Sequence, residues 1–147
     1  MALGSEALFR AYAPSRGRNQ VPSELAEYIY QNRDGHFSIP SMDKMKAFRV
    51  VVTTCVSAAM ISGIGISRGH YTHIFVDEAG QATEPEAMIA IKTMADRNTN
   101  IVLSGDPKQL GPIIRSSIAR ELGLEKSFME RLMDREIYDE VKSHGTW

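Results

Sequence analysis

Asp77 and Glu78 stand side by side at the end of an apolar run, HIFVDE, and a second apolar run, NIVLSGD, ends in Gly105 and Asp106, followed by Pro107, Lys108 and Gln109. An acid fixed at the end of a rigid strand can hold a hydrated magnesium ion, a hard cation that prefers carboxylate and water oxygens. A second acid beside it can orient and deprotonate a water. A glutamine near the same edge can hydrogen-bond a terminal phosphate without adding charge. Together these are the requirements of phosphate-anhydride hydrolysis, where catalysis consists of positioning and charge stabilisation. One acidic pair after one strand is commonly just a solvated turn. The weight therefore rests on the two acid-tipped runs occurring together.

Three segments read as the strands that would position these groups: 48–55 (FRVVVTTC), 73–77 (HIFVD) and 100–105 (NIVLSG). Each is short, rich in Val and Ile, and closed by polar residues or glycine. They are continuously apolar, the pattern of parallel strands covered on both faces. Residues 7–12 (ALFRAY) read as a fourth, weaker edge strand. In open parallel sheets ligands bind beyond the carboxyl ends of the strands, where both acid clusters fall.

Helical patterns separate these runs. Ser23 is placed to cap a helix reaching about Gln31, with Leu25, Tyr28 and Ile29 as its apolar contacts. Thr83 and Glu86 have the spacing of a capping box, and Ala87, Met88, Ile91, Met94 and Ala95 continue it as a helical stripe. Phe128, Met129, Leu132 and Met133 form another. Strand, helix, strand in this order predicts right-handed crossovers and a parallel sheet flanked by helices.

Composition bounds the function more loosely. The 147 residues fit one modest domain, and 43% are apolar, enough for a core. Seventeen basic and eighteen acidic residues nearly cancel, so any nucleic-acid contact must come from a local surface and not a global basic field. With the single cysteine, Cys55, no internal disulfide can form, and the expected setting is intracellular. The N-terminal segment has no long apolar core of the secretory type. The uncharged stretch 50–66 is short for a membrane span and contains Thr53, Thr54, Ser57, Ser62 and two glycines; it reads as a buried strand followed by a loop.

HIFVDEAGQATEPE followed after one helix by NIVLSGDPKQLGP resembles the superfamily 1 helicases, in the RNA-helicase branch that includes the nonsense-mediated-decay and RNA-silencing enzymes. DEAGQATEPE is similar to that family's Walker B motif (motif II), GDPKQLGP to its motif III, and VVTTCVSA to the nucleic-acid-contacting motif Ic. The likeness spans roughly residues 48 to 131. It implies an α/β fold that is part of a RecA-like P-loop NTPase domain, the first of two such domains in the family's motor. Motifs Ic, II and III would occupy about 48–115, and 116–147 would be a helical continuation.

The resemblance also implies roles. Asp77 would coordinate Mg2+, Glu78 would activate the attacking water, and Gln109 would sense the terminal phosphate of ATP. Gly105 would allow a tight turn and Asp106 would support the local network. Gln81 lies in the matching motif II stretch. Thr53 and Thr54 would donate to phosphates of single-stranded RNA, with DNA the alternative, positioning a strand without reading its sequence. They are equally placed to be simple strand residues.

A phosphate-binding loop needs G-x-x-x-x-G-K-[ST], and no glycine in this chain is followed by lysine. The phosphate-loop strand, motif Ia and the second RecA-like domain with its arginine fingers are thus expected to lie elsewhere in a longer parent. The chain would supply one wall of an ATP site and be inactive alone. The strand at 100–105 would then present an unpaired apolar edge. The abrupt start and the ending VKSHGTW fit cuts through a larger protein. The alternative function is a non-catalytic RNA- or protein-binding remnant. An unrelated magnesium-binding signalling domain gives no account of GDPKQLGP. The expected compartment is the cytoplasm, with the nucleus the alternative, and no membrane association is expected.

Other signals carry less. GIGISRG lacks dinucleotide-fingerprint spacing and reads as a flexible loop. His70 and His73 have no further partners of zinc-site type in sequence. Nothing in sequence marks Cys55 as a nucleophile. Arg10, Arg16 and Arg18 form a small basic cluster that reads as a solvated loop, with contact to RNA the alternative.

Overall fold

The computed structural model describes residues 4–106 and 108–138. Pro107 of the second acidic turn, the far end of the expected helical continuation and the VKSHGTW ending lie outside the described residues. The architecture is α/β with short parallel pairings. In chain order it runs β1 (Leu8–Arg10), a 3-10 turn at Arg18–Gln20, a 3-10 helix at Ser23–Tyr28, α1 (Met42–Ala47), β2 (Val50–Val52) and α2 (Ala58–Gly63). Then come β3 (His73–Val76), α3 (Glu84–Met94), β4 (Asn100–Leu103), α4 (Ser117–Glu121), α5 (Phe128–Met133) and a 3-10 turn at Glu136–Tyr138.

The strands pair in two parallel ladders. Leu8, Phe9 and Arg10 of β1 face Val50, Val51 and Val52 of β2. His73, Ile74, Phe75 and Val76 of β3 face Asn100, Ile101, Val102 and Leu103 of β4. The one sheet expected from sequence is, among the described residues, two two-stranded sheets. All four strands are shorter than the apolar runs that announced them. β2 ends early because Thr54 turns the backbone: its carbonyl accepts from the Ala58 amide and its hydroxyl from the Ser57 amide. The segment 50–66 is therefore strand, turn and helix, where a strand and loop were expected.

The chain divides into two compact units, the first comprising the described residues to Thr72 with Ile89–Thr99, the second His73–Met88 with the described residues from Asn100. In the first unit Phe9 and Phe48 stack at 5.3 Å, and Tyr12 meets Phe37 at 5.2 Å. Met45, Ala58, Ile61 and Ile66 are also buried there. The guanidinium groups of Arg10 and Arg16 lie over the Tyr12 ring, 4.9 and 4.7 Å from its centroid, and Arg18 bonds to Gln31. Arg10 and Arg16 thus pack on Tyr12, while Arg16 and Arg18 remain exposed to solvent, as the loop reading expects.

Two local expectations change. Residues 23–28 form a 3-10 helix whose N-cap is Pro22, and Ser23 sits inside it without capping. It stops short of Gln31 because Gln31 is extended, bridged to Phe37 across a turn in which the Asn32 side chain accepts from the Asp34 and His36 amides. Nor are the strands covered on both faces. β3 alternates: Val76 is 4% exposed, while Phe75 is 71% exposed, with His73 stacked beside it.

The second unit is tied at the start of α3. Glu86 accepts from the Thr83 amide at 3.0 Å and Thr83 Oγ1 accepts from the Glu86 amide at 3.4 Å, which is the capping box read from sequence. Thr83 also bridges Ser127, whose buried hydroxyl caps α5 through the Glu130 amide. Glu84 pairs with Arg131 across the same junction. Ala87, Ala90 and Met94 are the buried stripe of α3; Met88 and Ile91 are half-buried.

Candidate functional site

The parallel register of β3 and β4 brings the two acid-tipped ends to one rim. Continuing the pairing Val76–Leu103 by one residue sets Asp77 against Ser104. Ser104 spans this rim with three hydrogen bonds. Its amide donates to the Val76 carbonyl at 2.9 Å, its carbonyl accepts from the Ala79 amide at 2.8 Å, and its hydroxyl donates to Asp77 Oδ1 at 2.8 Å. Asp77 Oδ1 also accepts from the Glu78 amide at 3.1 Å. Both bonds end on the same oxygen, and among the described residues no hydrogen bond ends on Oδ2.

Glu78 has φ 52°, the only non-glycine residue with positive φ among the described residues. A side chain there costs about 1–3 kcal/mol, strain of a kind that gathers at functional sites. Its carboxylate accepts from Gln81 Nε2 at 3.2 Å, and its carbonyl accepts from the Gln81 amide at 2.9 Å. Gln81, placed in motif II without a defined contact, therefore steadies Glu78. The turn then crosses directly over Gly105, which has φ 147°. A Cβ on Gly105 would come within 3.1 Å of the Ala79 nitrogen and 3.3 Å of the Gly80 nitrogen. Only glycine serves there, on grounds of both conformation and space.

Asp106 organises the next turn. Its Oδ1 accepts from the Lys108 amide at 2.9 Å and its Oδ2 from Gln109 Nε2 at 3.3 Å, while its carbonyl accepts from the Gln109 amide at 3.1 Å. Gln109 thus bonds to Asp106, not to Asp77 or Glu78, among the described residues. Asp77, Glu78, Gln81, Gly105, Asp106 and Gln109 all belong to the second unit, and apart from the backbone of the turn they are exposed at its surface.

Thr53 and Thr54 belong to the first unit. Thr53 Oγ1 donates to the Thr54 carbonyl at 3.2 Å, and Thr54 opens the turn into α2 as described above. Both hydroxyls therefore have local structural employment.

The donor set at Asp77 fits a hydrated magnesium ion. Such an ion takes one or two protein carboxylates and completes its octahedron with water and phosphate oxygens. Among the described residues no cluster of three or more His, Cys, Asp or Glu is placed to enclose a metal, so a closed cage is not what this rim offers. Ser104 was the residue missed in sequence. Read as the tail of an apolar run it looked like a strand terminator; only the register shows it opposite Asp77.

Residues 23–117 match the AAA domain family. The chain is 42% identical to mouse RNA helicase Mov10l1 over 132 residues, 90% of this chain and 10% of that protein. It belongs to the superfamily 1 RNA helicase family. Human RNA helicase Mov10l1 is 53% identical over 95 residues, covering 65% of this chain and 8% of the relative. The probable RNA helicase armi of Drosophila melanogaster is 43% identical over 90 residues, 61% of this chain and 8% of that protein. The chain spans about a tenth of the length of these relatives. The family is one of helicase and NTPase enzymes. No helix among the described residues is long and apolar enough to cross a membrane.

Proposed function

We propose that this chain is the magnesium- and water-handling part of the first RecA-like domain of an ATP-dependent RNA helicase, which couples Mg-ATP hydrolysis to unwinding or remodelling of RNA. Asp77 holds Mg2+ through Oδ2, directly or through water, and Glu78 takes a proton from the attacking water. Gln109 contacts the terminal phosphate, with Asp106 orienting it. Gly105 lets the motif II turn lie close over the rim. Thr54, whose hydroxyl accepts from Ser57 and keeps its O–H, donates to a phosphate of single-stranded RNA, and Thr53 does so by turning its O–H away from the Thr54 carbonyl. The phosphate-binding loop and the second RecA-like domain come from the rest of a longer protein, working in the cytoplasm. The observation that carries this reading is the parallel β3–β4 pairing, which sets the acids of two separate motifs on one edge.

The test compares the full-length protein containing this segment with the 147-residue chain alone. RNA-stimulated ATP hydrolysis by the first, and neither micromolar Mg-ATP binding nor turnover by the second, is the expected result. A full-length protein that binds RNA yet never hydrolyses ATP would establish instead the non-catalytic remnant.

A further inference from the structure

We propose that Ser104 is a positioning residue for the metal-holding carboxylate, fixing Asp77 so that Oδ2 alone faces the ion. The proposal rests on the reading of Asp77 as the magnesium ligand.

Asp77 follows the last residue of β3, and its side chain has two anchors, the amide of its own neighbour Glu78 at 3.1 Å and the Ser104 hydroxyl at 2.8 Å. The first moves with the turn that carries Asp77. The second comes from the adjacent strand, 27 residues away in sequence. Ser104 is itself held by its amide and carbonyl, which bond to Val76 and Ala79 on either side of the Asp77–Glu78 pair. Its backbone is therefore registered to the residues it orients, and its hydroxyl transmits that registry to the carboxylate.

A hydroxyl suits this role better than a charged donor. It donates one hydrogen bond to the carboxylate without neutralising the charge that attracts the cation. Occupation of Oδ1 by two donors leaves one oxygen for the metal. Outer groups that orient a metal ligand in this way commonly change metal affinity about 10- to 100-fold when removed. The rim is exposed in this chain, so the lower end of that range applies.

The experiment titrates the 147-residue chain with Mn2+ as a paramagnetic stand-in for Mg2+, and follows broadening of the Glu78, Ala79 and Gly105 amides in 1H–15N spectra. Wild-type chain is expected to show selective broadening at these amides, and Asp77→Asn to abolish it. Ser104→Ala is expected to require about tenfold more Mn2+ for the same broadening. Ser104→Thr, which keeps the hydroxyl, restores the wild-type midpoint. The amide spectra themselves report whether each variant is folded.

An unchanged midpoint in Ser104→Ala, with binding still lost in Asp77→Asn, overturns the role of Ser104 and leaves the Asp77 reading standing. A Ser104→Thr chain as weak as Ser104→Ala does the same, because it shows that the hydroxyl is not what matters. Absence of selective broadening in the wild-type chain, or its persistence in Asp77→Asn, overturns the Asp77 reading and the role of Ser104 with it.

Discussion

Glu78 holds an L side chain at φ 52°, while glycine would take that conformation without penalty. A fold selected for stability alone would place glycine or asparagine there. The strain is explained if the carboxylate has to stand at the strand end beside Asp77, held by Gln81. On the proposed reading of Glu78 as the base, stability is traded for its position. Glu78→Gly is expected to raise the unfolding free energy of the chain by about 1 kcal/mol, measured by urea denaturation, while removing ATP turnover in the full-length protein. A Glu78→Gly chain less stable than wild type would show that the side chain supports the fold. The type and order of Asp77, Glu78 and Gln109 were legible in sequence, and so was the demand for glycine at 105. The contacts of Ser104 and Gln81 were not, because they depend on a register that no local pattern states.

At the scale of elements, α3 was the most legible part of the chain, because its start is written in two side chains that satisfy each other's backbone. Thr83→Ala removes one half of that box, and with it a hydroxyl that bonds Glu86 two ways, while the bond from the Thr83 amide to the Glu86 carboxylate remains. The expected cost is about 1 kcal/mol in thermal or urea unfolding, with faster hydrogen exchange at the Glu86 amide. An unchanged exchange rate at that amide would mean the cap is not formed in solution. The helix at 23–31 was misread for a complementary reason. Its apolar spacing is helical, but the turn at residues 32–36, built by the Asn32 side chain, pulls Gln31 into an extended bridge with Phe37. Tertiary pairing outweighed a weak local preference. The helix α2 was overlooked because its run, AAMISG, lies in an uncharged stretch that begins as a strand and has only Thr53, Thr54 and Ser57 as small polar residues between the two, and periodicity cannot divide so short a run.

At the scale of the whole molecule, the apolar strands misled in a useful way. Their continuous Val and Ile content predicted cover on both faces, yet Phe75, Ile101 and Val102 are exposed, and β4 has β3 as its one ladder partner among the described residues. Such strands suit a larger parallel sheet, where further elements would cover the outer face and pair the free edge. This chain matches about a tenth of each relative. The chemistry proposed here therefore belongs to the full-length protein. Its most direct test is RNA-stimulated ATP hydrolysis by that protein with Glu78→Gln, a change that preserves size and hydrogen bonding but removes the base. The account predicts unchanged Mg-ATP binding with turnover reduced at least about 100-fold. Turnover within a factor of about 3 of wild type would contradict it, because a general base is worth far more than that.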